Sequence, residues 1–185
     1  MKTLIVYAHP NTKGNTPIML DELEQLLERN AVKYDVLELY EMKYDPVLHE
    51  KELYTRGGKT ISKKNKDIQK MILGADKLYF IYPIWWGSMP AILKGFFDKI
   101  MLPKFAFEWQ GKKPVGLLKD KKAVAFITNG APHSLLMFLG RLPKLHLKRN
   151  ILGFCGIKCK VHMLGDCNQV NEERTRKFVN DRFSL

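Results

Sequence analysis

Met1-Lys2-Thr3-Leu4-Ile5-Val6-Tyr7-Ala8-His9-Pro10-Asn11-Thr12-Lys13-Gly14-Asn15-Thr16-Pro17 opens the chain and carries the decision about its fold. Leu4–Ala8 is a short apolar run, the pattern of a strand covered on both faces. Beyond Pro17, Ile18, Leu20, Leu23, Leu26 and Leu27 recur at helical spacing among acidic and polar residues. The chain therefore begins with a strand, a polar loop and a helix. A parallel sheet is built from such units.

The same alternation continues. Tyr34–Leu39, Lys77–Tyr82, Ala123–Thr128 and Ile157–Leu164 read as further strands. Between and after them lie helical patterns: Ile68, Met71 and Ile72 ending near Gly74, then Ala91–Leu102, and finally the charged Asn171–Arg182. Parallel neighbours need connections of a dozen or more residues, and these crossovers supply them. The expected architecture is α/β: a flavodoxin-like three-layer sandwich around a five-stranded parallel sheet of order 2-1-3-4-5. Two segments are extra to that plan, the long connection Tyr40–Asn65 and the alternating, hairpin-like Lys104–Leu118. No repeat or internal boundary is visible, so residues 1–185 are read as one domain.

Charge is the unusual feature, with 31 basic and 19 acidic residues for a net +12. The basic residues are spread out, with denser patches at Arg56–Lys70, Lys112–Lys122 and Arg141–Arg149. None of these is a heptad-patterned basic helix, a zinc-finger arrangement or an RNP-type strand, so no nucleic-acid partner is expected. A positive field that steers a phosphate-bearing cosubstrate is the cheaper explanation. Cys155, Cys159 and Cys167 lack a CxxC pair and suggest neither a disulfide framework nor a metal site; they read as buried thiols, with a redox role as the alternative. No apolar stretch approaches the ~20 residues of a spanning helix, and the polar start does not resemble a signal peptide. The expected location is the cytoplasm.

In a doubly wound sheet the loops after strands one, three and four meet at one crevice. The first, with His9, Thr12, Gly14, Asn15 and Thr16, precedes a helix whose N-terminus offers unpaired N–H groups and a positive dipole end. Gly14 permits a close backbone approach, Asn15 or Thr16 suits an N-cap, and Pro17 suits a first helical position. The loop is an anion site, or simply a capped turn. The loop after strand three holds Pro83, Ile84, Trp85, Trp86 and Gly87, and two adjacent indoles bounded by prolines suit the face of a planar cofactor, or a covered hydrophobic surface. After strand four, Thr128, Asn129 and Gly130 offer donors and an unshielded N–H that can stabilise negative charge on a reduced ring; a polar turn is the alternative.

With these loops in place, the stretch Pro83-Ile84-Trp85-Trp86-Gly87-Ser88-Met89-Pro90-Ala91-Ile92-Leu93-Lys94-Gly95-Phe96-Phe97-Asp98-Lys99 resembles the P-x-x-W-x-x-x-P-x-x-L-K-x-x-x-D signature of the flavodoxin-2 family. That group includes NAD(P)H quinone oxidoreductases of the DT-diaphorase kind and the ancillary flavoproteins of potassium-efflux systems. Tyr7-Ala8-His9-Pro10 matches its strand-one ending, where the histidine helps hold the flavin phosphate, and Phe105-Ala106-Phe107 sits where the family has an aromatic hairpin. The resemblance implies a flavin enzyme that reduces quinones or similar acceptors by ping-pong hydride transfer from NADH or NADPH. It also implies a homodimer, with Phe105–Trp109 and Tyr40–Asn65 as contacts. FMN is expected, because the first loop serves its phosphate outright; FAD is the alternative and would need a further surface for its adenine. The positive charge leans towards NADPH. Other readings are a regulatory flavoprotein docked peripherally on a membrane transporter and a one-electron carrier of the flavodoxin type.

Two departures from the family pattern bear on the acceptor. The usual Thr-Thr-Gly-Gly is replaced by Thr128-Asn129-Gly130-Ala131, and the family's Tyr and His beyond that loop have no convincing counterpart among Leu135–Phe138, His133 and His146. His133 is the catalytic candidate for donating to a quinone oxygen, with a solvated loop histidine as the alternative.

Overall fold

The computed structural model describes residues 1–53, 61–132, 134–135 and 141–184. Its frame is a five-stranded parallel sheet of β1 (Lys2–Tyr7), β2 (Lys33–Glu38), β3 (Lys77–Pro83), β6 (Lys122–Thr128) and β7 (Lys158–Leu164) in the order β2-β1-β3-β6-β7. Between β3 and β6 a separate antiparallel hairpin, β4 (Phe107–Gln110) and β5 (Lys113–Gly116), turns at Gly111 with φ +62°. Counted without the hairpin, the sheet has the 2-1-3-4-5 order that the alternation implies.

Side-chain alternation along each strand sorts the core into two layers. On one face Leu4 and Val6 of β1, Leu78 and Phe80 of β3 and Ala123 and Ala125 of β6 pack against α2 (Lys63–Gly74) and α3 (Ala91–Ile100). Leu147 and Leu152, from a helical segment that runs as α4 (Arg141–Leu145) and continues with wide π-type turns over His146–Gly153, complete that layer. On the other face Ile5, Tyr7, Tyr79, Ile81, Val124 and Phe126 pack against Met19, Leu23 and Leu27 of α1 (Asn15–Arg29) and Phe178 and Val179 of α5 (Glu172–Asn180). Each buried Val, Leu, Ile, Phe or Met among these contributes roughly 1.5–3 kcal/mol.

The segment Arg141–Gly153 was legible in sequence only as a basic patch, since Pro143 and the interspersed Lys and Arg obscure its apolar stripe. In the fold, Leu147 and Leu152 are fully buried while Arg141 and Arg149 face solvent. Its π-type turns show in the Phe154 N–H bonding to Arg149 O and the Ile157 N–H to Leu152 O. Of the Tyr40–Asn65 excursion, Tyr44 enters the core and its hydroxyl donates to Asn65 Oδ1 at 3.1 Å. The rest of that excursion over residues 54–60 lies outside the described residues.

Two tertiary ties hold α1 and the excursion in place. Glu22, almost wholly buried on α1, accepts from Arg176 Nη1 at 2.8 Å and from Asn180 Nδ2 at 2.7 Å. Arg176 also meets Asp21 and Glu172, so the inner faces of α1 and α5 carry a compensated charge cluster. On the opposite layer, buried Lys99 reaches Asp45 at 3.1 Å, Glu52 at 3.2 Å and the Val47 carbonyl at 2.9 Å.

Candidate active site

Carboxyl ends of the central strands carry the polar loops, and four of those loops converge. β1 hands over to His9–Gly14, and the first intrahelical bond of α1 runs from the Ile18 N–H to Gly14 O at 3.2 Å. The N–H groups of Asn15 and Thr16 therefore have no intrahelical acceptor, and Pro17 has none to offer. Gly14 holds φ +129° with ψ near −179°, a backbone region open to glycine and strained for any side chain. The outcome is an exposed positive helix end with a bare backbone approach, suited to a phosphate.

Neither Asn15 nor Thr16 caps the helix; the N-cap is Gly14, with no side-chain cap bond. Asn15 turns inward instead. Its Nδ2 donates to the carbonyls of Gln169 at 2.8 Å and Cys167 at 3.3 Å, and its Oδ1 accepts from the Asn171 N–H and the Thr175 hydroxyl, each at 3.0 Å. These four bonds use the whole hydrogen-bonding capacity of the amide, so its side chain fixes the loop after β7 and only its backbone faces the cleft. Thr16 Oγ1 meets Thr128 Oγ1 at 2.7 Å, both residues being buried. One hydroxyl donates to the other, which leaves a single hydroxyl hydrogen for a ligand.

His9 is half-buried, and its Nδ1 lies 3.1 Å from the Asn11 N–H nitrogen and 3.3 Å from the Asn11 carbonyl oxygen, so it accepts from the first in one tautomer and donates to the second in the other. Burial holds its pKa below the usual histidine value, only partly offset by the Asn11 backbone.

In the loop after β3, the Ile84 N–H donates to Thr128 O at 2.8 Å and so continues the sheet. Trp85 and Ser88 then exchange two backbone hydrogen bonds, at 2.9 and 3.0 Å, around Trp86 (φ +50°) and Gly87 (φ +72°). Two left-handed residues between a bridged pair make a tight turn of the primed type, which sends the two indoles to different places. Trp85 lines the cleft, its ring centroid 6.1 Å from that of His9. Trp86 projects wholly into solvent, at 104% of its reference exposure, and contributes no cleft wall.

The loop after β6 is tied down from below. Asn129 donates its N–H to Leu164 O, accepts from the Cys167 N–H, and folds its side chain onto the Ala131 N–H at 2.8 Å. Gly130 O accepts from Asn168 Nδ2 at 2.9 Å, and a Cβ at Gly130 would lie 2.2 Å from Asn168 Oδ1. A side chain here would meet only the end of the exposed Asn168 amide, which can turn aside at the loss of its bond to Gly130 O.

Together these loops enclose a cleft of about 430 Å³ lined by His9, Gly14, Asn15, Thr16, Pro83, Ile84, Trp85, Thr128, Asn129 and Gly130. Ten of the sequence-nominated positions thus share one wall system. Thr12, Trp86 and Gly87 do not line it, and His133 lies outside the described residues. Sequence reading missed Asn11 and the whole fourth loop, from which Cys167, Asn168 and Val170 line the cleft. The signal for that loop was present, because β7 ends at the same edge of the sheet as its neighbours. Beside the cleft, sharing Ile84, a second cavity of about 490 Å³ is lined by Tyr82, Gly87, Ser88, Met89, Leu142, His146 and Arg149, among others. Burial raises the thiol pKa of Cys155 to about 11 and of Cys159 to about 12, and raises that of Cys167 too, so none of the three is poised as a thiolate.

A crevice at the switch point of a 2-1-3-4-5 parallel sheet, with an open helix N-terminus on one side and an indole on the other, defines a flavodoxin-type ligand site. The chain belongs to the flavodoxin-2 family, of flavodoxin-like fold, whose pattern matches residues 1–180. It is 30% identical over 183 residues to an uncharacterized NAD(P)H oxidoreductase of Haemophilus influenzae, covering 97% of this chain and 91% of that protein. An FMN-dependent NADH:quinone oxidoreductase of Clostridium beijerinckii is 34% identical over 182 residues, covering 94% of this chain and 89% of the relative. Among solved structures, Smu.1420 from Streptococcus mutans superposes with a TM-score of 0.84 at 30% identity, covering 98% of this chain and 96% of that one.

Proposed function

We propose that this chain binds FMN in the cleft and uses NADH or NADPH to reduce quinones or similar small acceptors. The single observation that carries the reading is the juxtaposition, across one cleft, of the open α1 N-terminus with Trp85 and the Thr16–Thr128 pair. Relatives of 30% identity or more, spanning nearly the whole chain, bear names of the same activity class. FMN bound there supplies the two-electron chemistry of hydride acceptance and delivery. The protein supplies position and polarity. The Asn15 and Thr16 N–H groups and His9 would hold its phosphate, Trp85 would provide a flat wall, and Gly130 with the Thr16–Thr128 hydroxyls would supply polar partners for its ring.

The cavity beside Ile84 is where the dinucleotide and the acceptor take turns. Its mixed lining of Met89, Leu142, His146 and Arg149 suits an aromatic body with a polar or anionic tip. A homodimer, a single domain over residues 1–185 and a cytoplasmic location belong to the same reading. The exposed Trp109, packed edge-on against Phe107 and Phe154, offers an aromatic surface for a second copy.

The test is spectroscopic. Purified protein should absorb between about 350 and 500 nm, release FMN on denaturation, bleach anaerobically with NADH or NADPH, and recover its colour on adding a quinone. Failure to take up FMN would remove the cofactor assignment; flavin that bleaches but is not reoxidised by quinones would remove the acceptor class. For His133→Gln, an unchanged pH profile of quinone turnover would take that residue out of the mechanism.

A further inference from the structure

At the end of the sheet away from the cleft, parallel register sets three lysines side by side. Lys77 of β3 pairs with Lys122 of β6, and Lys122 with Lys158 of β7. Residues on one rung of a parallel sheet point to the same face, about 4.8 Å apart from strand to strand. Lys160, two residues after Lys158, shares that face. Like charges placed directly opposite each other are destabilising, yet four occur here together.

Lys77 is buried, at 5% exposure, while Lys122, Lys158 and Lys160 are exposed. The four surround a cavity of about 390 Å³ whose remaining lining is Ala123, Val124, Cys159 and Ser184, with no acidic side chain among the described residues. Among the described residues the Lys77 ammonium touches the Ser184 carbonyl and hydroxyl and the face of Tyr79, all neutral. Burial lowers its pKa first, then the charges of Lys160 and Lys122. On the adjoining α5 end, Asp181 is turned to Lys177 at 3.8 Å, and Arg182 stacks on Phe178. Asp76, the residue before Lys77, accepts from the Lys2 N–H at 2.7 Å.

We propose that the Lys77–Lys122–Lys158 rung, with Lys160, is a binding site for a small soluble phosphate-bearing anion of the di- or triphosphate type. The cavity is bounded by the sheet and by Ser184 rather than flat, which favours a compact solute over an extended polymer or a membrane surface. Six strand residues of about 3.3 Å each separate the rung from Thr128, so the site stands about 20 Å from the cleft and does not depend on the flavin reading.

Calorimetric titration of the full chain with sodium tripolyphosphate, at saturating FMN and fixed ionic strength, tests this. One site per chain is expected, with affinity falling tenfold or more in Lys122→Gln/Lys160→Gln while flavin content and quinone turnover hold. Lys63→Gln/Lys66→Gln on α2, which removes the same net charge, should leave the affinity within about twofold. No saturable binding, equal losses in the two double variants, or binding only to vesicles containing phosphatidic acid would each overturn the proposal.

Discussion

Thr16 and Thr128 lie 112 residues apart in sequence, and their hydroxyl oxygens meet at 2.7 Å beneath the cleft. This contact joins the start of α1 to the end of β6, so the anion-binding and polar-edge loops hold one register. Thr128→Val should destabilise the FMN-free protein by about 1–3 kcal/mol, because it strands a buried hydroxyl. The double variant Thr16→Val/Thr128→Val should cost less than the sum of the two single changes, since neither hydroxyl is then left unpaired. Urea unfolding of the four proteins completes the cycle, and all valine variants should bind FMN more weakly by fluorescence titration.

The two adjacent tryptophans should separate cleanly. Trp85→Ala removes a cleft wall and should weaken FMN binding by tenfold or more, equivalent to about 1.4 kcal/mol or greater. Trp86→Ala, at an exposed position, should leave FMN affinity within about twofold. Trp86→Gly relieves the left-handed backbone and should raise the thermal midpoint slightly.

Gly14→Ala tests the bare helix end. Alanine at φ +129° carries strain of about 1–3 kcal/mol and should displace the first N–H groups of α1. FMN, which has a phosphate, should lose affinity more than riboflavin, which has none. Equal losses for the two ligands would show that the phosphate is held elsewhere.

Arg176→Met leaves Glu22 buried without its cation and should cost about 3–5 kcal/mol in urea unfolding. Glu22→Gln/Arg176→Met should recover much of that loss, because no charge is then left buried.

Stability should also depend on pH through two histidines. Burial lowers the pKa of His9 and, together with Arg182, Lys160 and Lys144, that of His162. Below the ordinary value of about 6.5 the unfolded chain therefore binds more protons than the folded one, so stability is full above about 6.5 and declines as the pH falls. The urea midpoint of the FMN-free protein should drop between about pH 7 and pH 5, and the drop should shrink in His9→Gln/His162→Gln.

Local pattern was sufficient for much of this. The apolar runs around Ile5, Phe80 and Phe126, with helical stripes between them, dictate a parallel sheet because the crossovers are too long for hairpins. The π-turned segment around Leu147 and Leu152 was illegible, since a basic, proline-containing stretch gains its helical form by packing onto the sheet. Asn15 shows the same limit within the site. In sequence it reads as a cap for its own helix, whereas its partners are the Gln169 carbonyl and Thr175, more than 150 residues away.

By itself the sequence determined the strand order, the flavodoxin-like class and the loops that face one crevice, because hydrophobic period and connection length are local quantities. Tertiary structure alone decided that Trp85 rather than Trp86 enters the cleft, that the loop after β7 forms a fourth wall, and that Lys77, Lys122 and Lys158 share a rung. Each of these depends on a turn handedness or a strand register, which set the direction of a side chain without altering the pattern in which it is written.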